Sequence, residues 1–290
     1  MTGGLIINAD DFGLTEDTNR AILELARLGT VSSTSIMVNM PYVAAIQSVA
    51  AEFPRLGVGV HLNLTTGAPL SPPETVRTLV DGEGRFLPLG VLVRRALTGR
   101  VSWADIRREV RAQVRRAREL LGARLDHWDS HEGFHRFEPF ATLCMAVCRE
   151  QGVPAMRSHR HYFITSAQPL ALRRPNLATL GLFGWGRVAR EQYYGLLSWR
   201  AARHFALPTG LLALTEGPTL DILDVVAGAD LPPGVWEVAC HPAMSTQGLS
   251  EAETTHQART EEYALLASER FRRAVANGRL TMLNFSQLVG

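Results

Sequence analysis

The chain has 290 residues and contains no lysine; all 30 basic residues are arginine, which we read as the coding bias of a GC-rich genome rather than as a functional signal. Set against 28 acidic residues they leave a formal net charge of only +2. No global field therefore points to a nucleic-acid partner. Cysteine is scarce: Cys144, Cys148 and Cys240 are too few and too oddly placed for a disulfide framework. The first two are four apart in an apolar helical run and read as buried thiols. No stretch approaches the ~18 uninterrupted apolar residues of a membrane span. Nor does a basic segment followed by an apolar one open the chain, so no membrane insertion and a cytoplasmic location are the expectations.

Hydrophobic residues make up 46% of the chain and charged residues 20%, the balance of a globular core. The length suits one α/β barrel. Leu5 to Asp10 is a short apolar run ending in acids and reads as a buried parallel strand. A helix over Thr15 to Leu28 stops at Gly29; a strand over Thr34 to Asn39 stops before Pro41; a helix over Val43 to Glu52 leads to a strand over Gly57 to Asn63. Strand, helix, strand is the pattern of a parallel sheet. Further strands are expected at 125–131, 153–158, 235–240 and 280–283, and helices at 103–121, 139–151 and about 251–277. Together they predict a single-domain (β/α) barrel, seven-stranded or otherwise an incomplete TIM-like barrel. Residues 64–104, rich in Pro and Gly, read as a long loop excursion able to shape a cleft, and 160–220 as an irregular, aromatic-rich insertion. The arginines of the 103–121 helix, among them Arg107, Arg108, Arg111 and Arg116, are offset by Asp105, Glu109 and Glu119 and read as a solvated face.

Metal-competent side chains recur at the carboxyl ends of the expected strands: Asp10 and Asp11, His61, His131, His241. In a parallel barrel those ends open onto one face, where active sites sit. Asp10 and Asp11 are neighbours, and successive strand side chains alternate, so both border one cavity only if the chain bends, which we expect at Phe12-Gly13. In an extended strand residues 127, 129 and 131 share a face. That places His131 at the strand end as a ligand, His135 on the rim beyond it, and His127 and Asp129 beneath, orienting the ligand ring. One carboxylate with two imidazoles leaves positions open for water and substrate and suits zinc, cobalt or nickel better than magnesium.

Four blocks occur in order: Ala9-Asp10-Asp11-Phe12-Gly13, Gly59-Val60-His61-Leu62-Asn63-Leu64-Thr65, Asp129-Ser130-His131 and Cys240-His241-Pro242. Together they resemble the YdjC-like carbohydrate deacetylases, over nearly the whole chain. The resemblance implies a deacetylase barrel with one divalent metal ion, often a homodimer. Asp11, His61 and His131 would be the metal ligands, Asp10 the general base and His241 the general acid. Arg157 matches a family arginine near the site, and Asn63 lies in one of the shared blocks. The chain departs from many members after Asp129-Ser130: where they carry a run of histidines it reads His131-Glu132-Gly133-Phe134-His135. The metal site survives that change, while the lost rings favour a substrate other than a chitin fragment.

On this reading the substrate is a small N-acetylated sugar, oligosaccharide, glycolipid or glycosylated natural product, which loses acetate to metal-activated water. Two other readings use the same scaffold: a metal-dependent sugar isomerase or epimerase, and a non-catalytic sugar-binding relative. Acetate release separates them. The aromatic stretch from Phe183 to Trp199 serves either as a wall that stacks on substrate or as core or dimer interface.

Overall fold

The computed structural model describes residues 3–165, 171–173, 175–213, 233–249, 256–278 and 280–289. It opens with β1 (Gly4–Phe12), α1 (Glu16–Leu28), β2 (Ser33–Ile36), α2 (Ile46–Glu52) and β3 (Gly57–Leu62). Helices α3 (Leu89–Leu97) and α4 (Trp103–Leu121) precede β4 (Leu125–Ser130), and α5 (Phe140–Glu150) precedes β5 (Ala155–Met156). There follow β6 (His161–Thr165), β7 (Ala171–Arg173), α6 (Leu180–Ala201), β8 (Gly210–Ala213), β9 (Val235–Cys240), α7 (His256–Ala267), α8 (Glu269–Asn277) and β10 (Thr281–Met282). Local chemistry sets several of these limits. Thr15 accepts the Thr18 N–H to start α1, and Gly29, at φ 71°, ends it in a left-handed turn.

The strands form one sheet in the order β5-β4-β3-β2-β1-β9-β8-β6-β7, with β10 beside the start of β1. Every pairing is parallel except β6 with β7. A parallel bridge from Ala155 to Ala206, and an Arg160 carbonyl accepting the Leu211 N–H at 2.8 Å, draw the β5 edge toward the segment that feeds β8. The sheet thus curls into the expected incomplete, TIM-like α/β barrel.

Alternation along β1 divides the two faces. Leu5, Ile7 and Ala9 join the main core beneath the helices, with Ile22, Val58, Val60 and Val238. Ile6 points the other way and packs with Ala155 and Phe285 in a small separate cluster. Asn8 and Asp10 continue that inward face. Phe285 lies in a turn just after β10, and its ring stacks on His127 with centroids 3.8 Å apart and planes 10° apart. The end of the chain therefore plugs the barrel at the amino ends of its strands.

Several segments differ from expectation. β2 stops at Ile36, and the last long helix is two, α7 and α8, divided at Ser268, whose hydroxyl accepts the Phe271 N–H and starts the second. Residues 251–255, expected in that helix, lie outside the described residues. The 64–104 segment carries α3 and buries Leu64, Val76, Leu79, Phe86 and Leu92 in the main core. Buried Glu109 of α4 ties it down by accepting the N–H groups of Leu70 (3.0 Å) and Ser71 (2.9 Å). On the same helix Arg107 and Arg111 pair with Glu150 and Arg116 with Glu119, as a solvated face should. Of the 160–220 stretch, residues 166–170, 174 and 214–220 lie outside the described residues. Trp185 and Trp199 on α6 are more than half exposed, Arg203 lies over the Trp199 ring at 3.8 Å, and the Phe183 side chain is outside the described set. Among the described residues, no helix is long and apolar enough to cross a membrane.

Gly59 of β3 faces His127 of β4, and a Cβ there would lie 2.4 Å from the imidazole ring. His127 is buried and held in place, with Phe285 stacked on it and Asp126 bonded to Nδ1 at 2.6 Å. Gly59→Ala should therefore cost about 1–3 kcal/mol as an overpacked core does. A urea midpoint equal to wild type would disprove the packing described.

Candidate active site

The bend that brings two adjacent acids to one cavity occurs at Asp11 itself. Its φ is +67°, and the β1–β2 register shifts between Ala9 and Phe12. A left-handed residue other than glycine is strained by about 1–3 kcal/mol and persists only where its surroundings fix it. Here they do. One carboxylate oxygen of Asp11, Oδ1, lies 3.2 Å from His61 Nε2 and 2.9 Å from His131 Nδ1, and Oδ2 accepts a 2.6 Å hydrogen bond from Arg259. One donor atom from each of Asp11, His61 and His131 lies within 4.8 Å of the others, and all three residues are buried, a set that could hold a metal ion.

The surroundings fit such an ion. His61 Nδ1 lies 2.6 Å from Asp129 Oδ1 and 3.1 Å from the Ser35 hydroxyl, which directs Nε2 at Asp11. This is the carboxylate–histidine arrangement that orients metal-binding imidazoles. Burial works against a charged His61 ring, but Asp129, Asp11 and Asp10 prevail and hold its pKa up to about 10. The same carboxylates would favour a divalent cation in place of that proton, which a metal ion must displace from the ring.

Asp10 lies beside this cluster in a charged clamp. Arg157 donates to both of its oxygens at 2.7 Å, to Glu237 at 2.7 Å through Nε, and approaches Asp129 Oδ2 at 2.8 Å. Asn8 donates a further 2.7 Å bond to Asp10. Burial alone would raise the Asp10 carboxyl, yet the Arg157 guanidinium keeps it well below the usual carboxylate range. His241 Nε2 stands 3.6 Å from Asp10 Oδ2, on the open side of the cavity with its side chain 29% exposed. Its backbone N–H donates to Glu262 of α7 at 2.5 Å.

The structure thus brings Asp10, Asp11, His61, His131, His241, Arg157 and Asp129 together. Asp129 supports His61, however, not His131, because the parallel register sets His61 opposite Asp129. His127 orients neither ring; its contacts are Asp126 and Phe285 at the plugged end. His135 is buried rather than on the rim, its Nδ1 2.5 Å from the Ser130 hydroxyl and its ring beside His159. Asn63 shapes the loop after β3. Its Oδ1 accepts the Thr65 and Thr66 N–H groups at 3.0 Å, and its amide donates to the Thr66 carbonyl and to Asn39. Arg259 and Glu262, one turn apart on α7, escaped the sequence reading, as did Asn8 and Ser35. Only the inward alternation of β1 and β2 could have signalled the last two.

The sequence profile of the YdjC-like proteins matches residues 4–277. The chain belongs to the YdjC-like family. One relative, a carbohydrate deacetylase of Brevibacillus brevis (strain 47), is 30% identical over 286 residues, spanning 98% of this chain and 99% of that one. A chitooligosaccharide deacetylase of Proteus mirabilis (strain HI4320) is 37% identical over 151 residues, 52% of this chain and 57% of that one. Among solved structures, a crystal structure from Enterococcus faecalis V583, described provisionally as a cellobiose-phosphate cleavage protein, superposes with a TM-score of 0.76 at 25% identity and covers 99% of both chains.

Asp129→Asn should weaken divalent-metal binding about 10- to 100-fold, as loss of a ligand's orienting partner does. Calorimetry giving an affinity equal to wild type would show that Asp129 does not orient the ligand. A second expectation concerns stability. Burial, aided by the nearby Arg136 charge, pushes the His159 ring down to about 3, so it stays neutral in the folded state. In the unfolded chain it takes up a proton near pH 6.5. Its contribution is therefore full above pH 6.5 and declines as pH falls, by about 2 kcal/mol at pH 5. His159→Gln should flatten the acid side of the stability curve by about one proton, and an unchanged slope would refute this.

Proposed function

We propose that this YdjC-like protein removes the acetyl group from an N-acetylated amino sugar by metal-assisted hydrolysis. The observation that carries the reading is the convergence of Asp11, His61 and His131 beside Asp10 and His241. The deacetylase names of its relatives support it. A divalent ion held by Asp11, His61 and His131 would supply Lewis-acid polarisation of the amide carbonyl and acidify water. Two imidazoles and one carboxylate favour zinc, with cobalt, nickel or magnesium as the alternatives.

The chain's own groups then divide the proton work. Arg157 keeps Asp10 ionised and fixes its plane, so that its carboxylate can accept the proton of the attacking water. His241, across from Asp10 and nearer solvent, donates a proton to the departing amine. Arg157 is in turn braced by Glu237 and Asp129, which neutralise it. Acetate and a free amino sugar are the products. The loop after Ser130 reads His131-Glu132-Gly133-Phe134-His135 rather than the run of histidines that the family resemblance implies, which favours a substrate other than a chitin fragment, such as a glycolipid or glycosylated natural product.

Metal-loaded wild type should release acetate from one class among N-acetylglucosamine oligomers, glycolipids and glycosylated natural products. Asp10→Asn and His241→Ala should each lower the rate by about 10²- to 10⁴-fold. His131→Ala should lose metal and activity together. Metal binding without acetate release from any of these substrates would make another acyl group or the isomerase the leading reading.

A further inference from the structure

Helix α7 reaches the cavity with two side chains three residues apart. Glu262 accepts the His241 backbone N–H, and the Arg259 guanidinium, 1% exposed, donates to Asp11 Oδ2 at 2.6 Å. The helix backbone is fixed to the same loop, since the Arg259 carbonyl accepts the Ala243 N–H at 3.2 Å. The two oxygens of Asp11 are thereby assigned to opposite partners. Oδ1 faces His61 Nε2 and His131 Nδ1, and Oδ2 faces Arg259.

We propose that Arg259 is a specificity-determining residue of the metal centre, holding Asp11 to a single ligand oxygen and so favouring a transition metal over magnesium. The inference rests on reading Asp11, His61 and His131 as a metal site. The second Asp11 oxygen can join an ion only by breaking a buried, charged 2.6 Å hydrogen bond. The donors are then two imidazole nitrogens and one oxygen whose negative charge is shared with a guanidinium. Hard cations such as magnesium draw their affinity from carboxylate oxygens and charge. Zinc and cobalt gain most from imidazole and lose least when the carboxylate's charge is shared. Arg259 thus penalises magnesium more than zinc. A lysine would keep the cation against Oδ2, and a glutamine would keep only a weak neutral donor.

The test is equilibrium binding of zinc, by chelator competition, and of magnesium, by calorimetry, to full-length wild type, Arg259→Gln, Arg259→Lys and His131→Ala. Arg259→Gln should lower the zinc-to-magnesium affinity ratio about tenfold or more, the scale on which partners of metal ligands act. Arg259→Lys should retain most of the preference. A folded Arg259→Gln protein with the wild-type ratio overturns the proposal while leaving the metal centre intact. Equal zinc affinity in wild type and His131→Ala instead overturns the reading of the site. Should Arg259→Gln fail to fold, X-ray absorption of zinc-loaded wild type decides: a monodentate Asp11 carboxylate is expected, and a bidentate one overturns the proposal.

Discussion

Arg157 donates to Asp10 with two nitrogens and to Glu237 with a third, and lies against Asp129, and all four side chains are buried inside the barrel. An ionised carboxylate taken out of water alone costs several kcal/mol, and three together would repel one another besides. The guanidinium is what lets β1, β4 and β9 carry their acids on the inward face. Asp129 can then hold His61, and Asp10 can stay ionised, only because the same cation neutralises both. Burial pushes the Glu237 carboxyl upward and Arg157 opposes it, the residual cost of bringing a third acid to one cation. Breaking such a group from one side typically costs about 3–5 kcal/mol, so the floor of the cavity and the stability of the barrel are coupled.

Asp11 stands apart from this network although it is the next residue. In an unbroken strand its side chain would enter the apolar layer beneath the helices. The left-handed turn rotates it back to the cavity, into reach of two histidines and an arginine. One local distortion thus separates two neighbouring carboxylates into distinct electrostatic settings, one clamped by Arg157 and the other by Arg259.

Much of this was legible in the sequence, and the reason is alternation. Leu5, Ile7 and Ala9 set the outer face of β1, so Asp10 had to face inward, and the expected strands carrying His61 and His131 near their carboxyl ends placed those rings on the same rim. What was not legible depended on register and on helix faces. His61 lies beside Asp129 through a pairing with a shift between Val58 and Gly59, which no single strand announces. Asn63 lies two residues beyond His61 but follows the last residue of β3, where the chain turns away. The 64–104 segment looked loop-like because Pro and Gly dominate it, yet its scattered apolar residues add up to a packed layer. Arg259 was hidden for another reason: among 30 arginines on mostly amphipathic helices, nothing local distinguishes the one that points inward. A helix carries no parity that separates cavity from solvent; only its docking does.

The place of β1 in the sheet carries a cost in time. β1, the first of these strands in chain order, lies between β2 on one edge and β9 on the other, with β10 against its opening residues. Two of those partners arrive more than two hundred residues later. Contacts of such long sequence separation pay chain-closure entropy before they return any stability, and they slow folding. Until β9 emerges, an apolar strand ending in two acids has one open edge, the condition in which nascent chains aggregate or engage chaperones. Asp10 and Asp11 meet Arg157 and then Arg259 only as the later segments arrive, so the charged centre cannot be complete before α7 has been made.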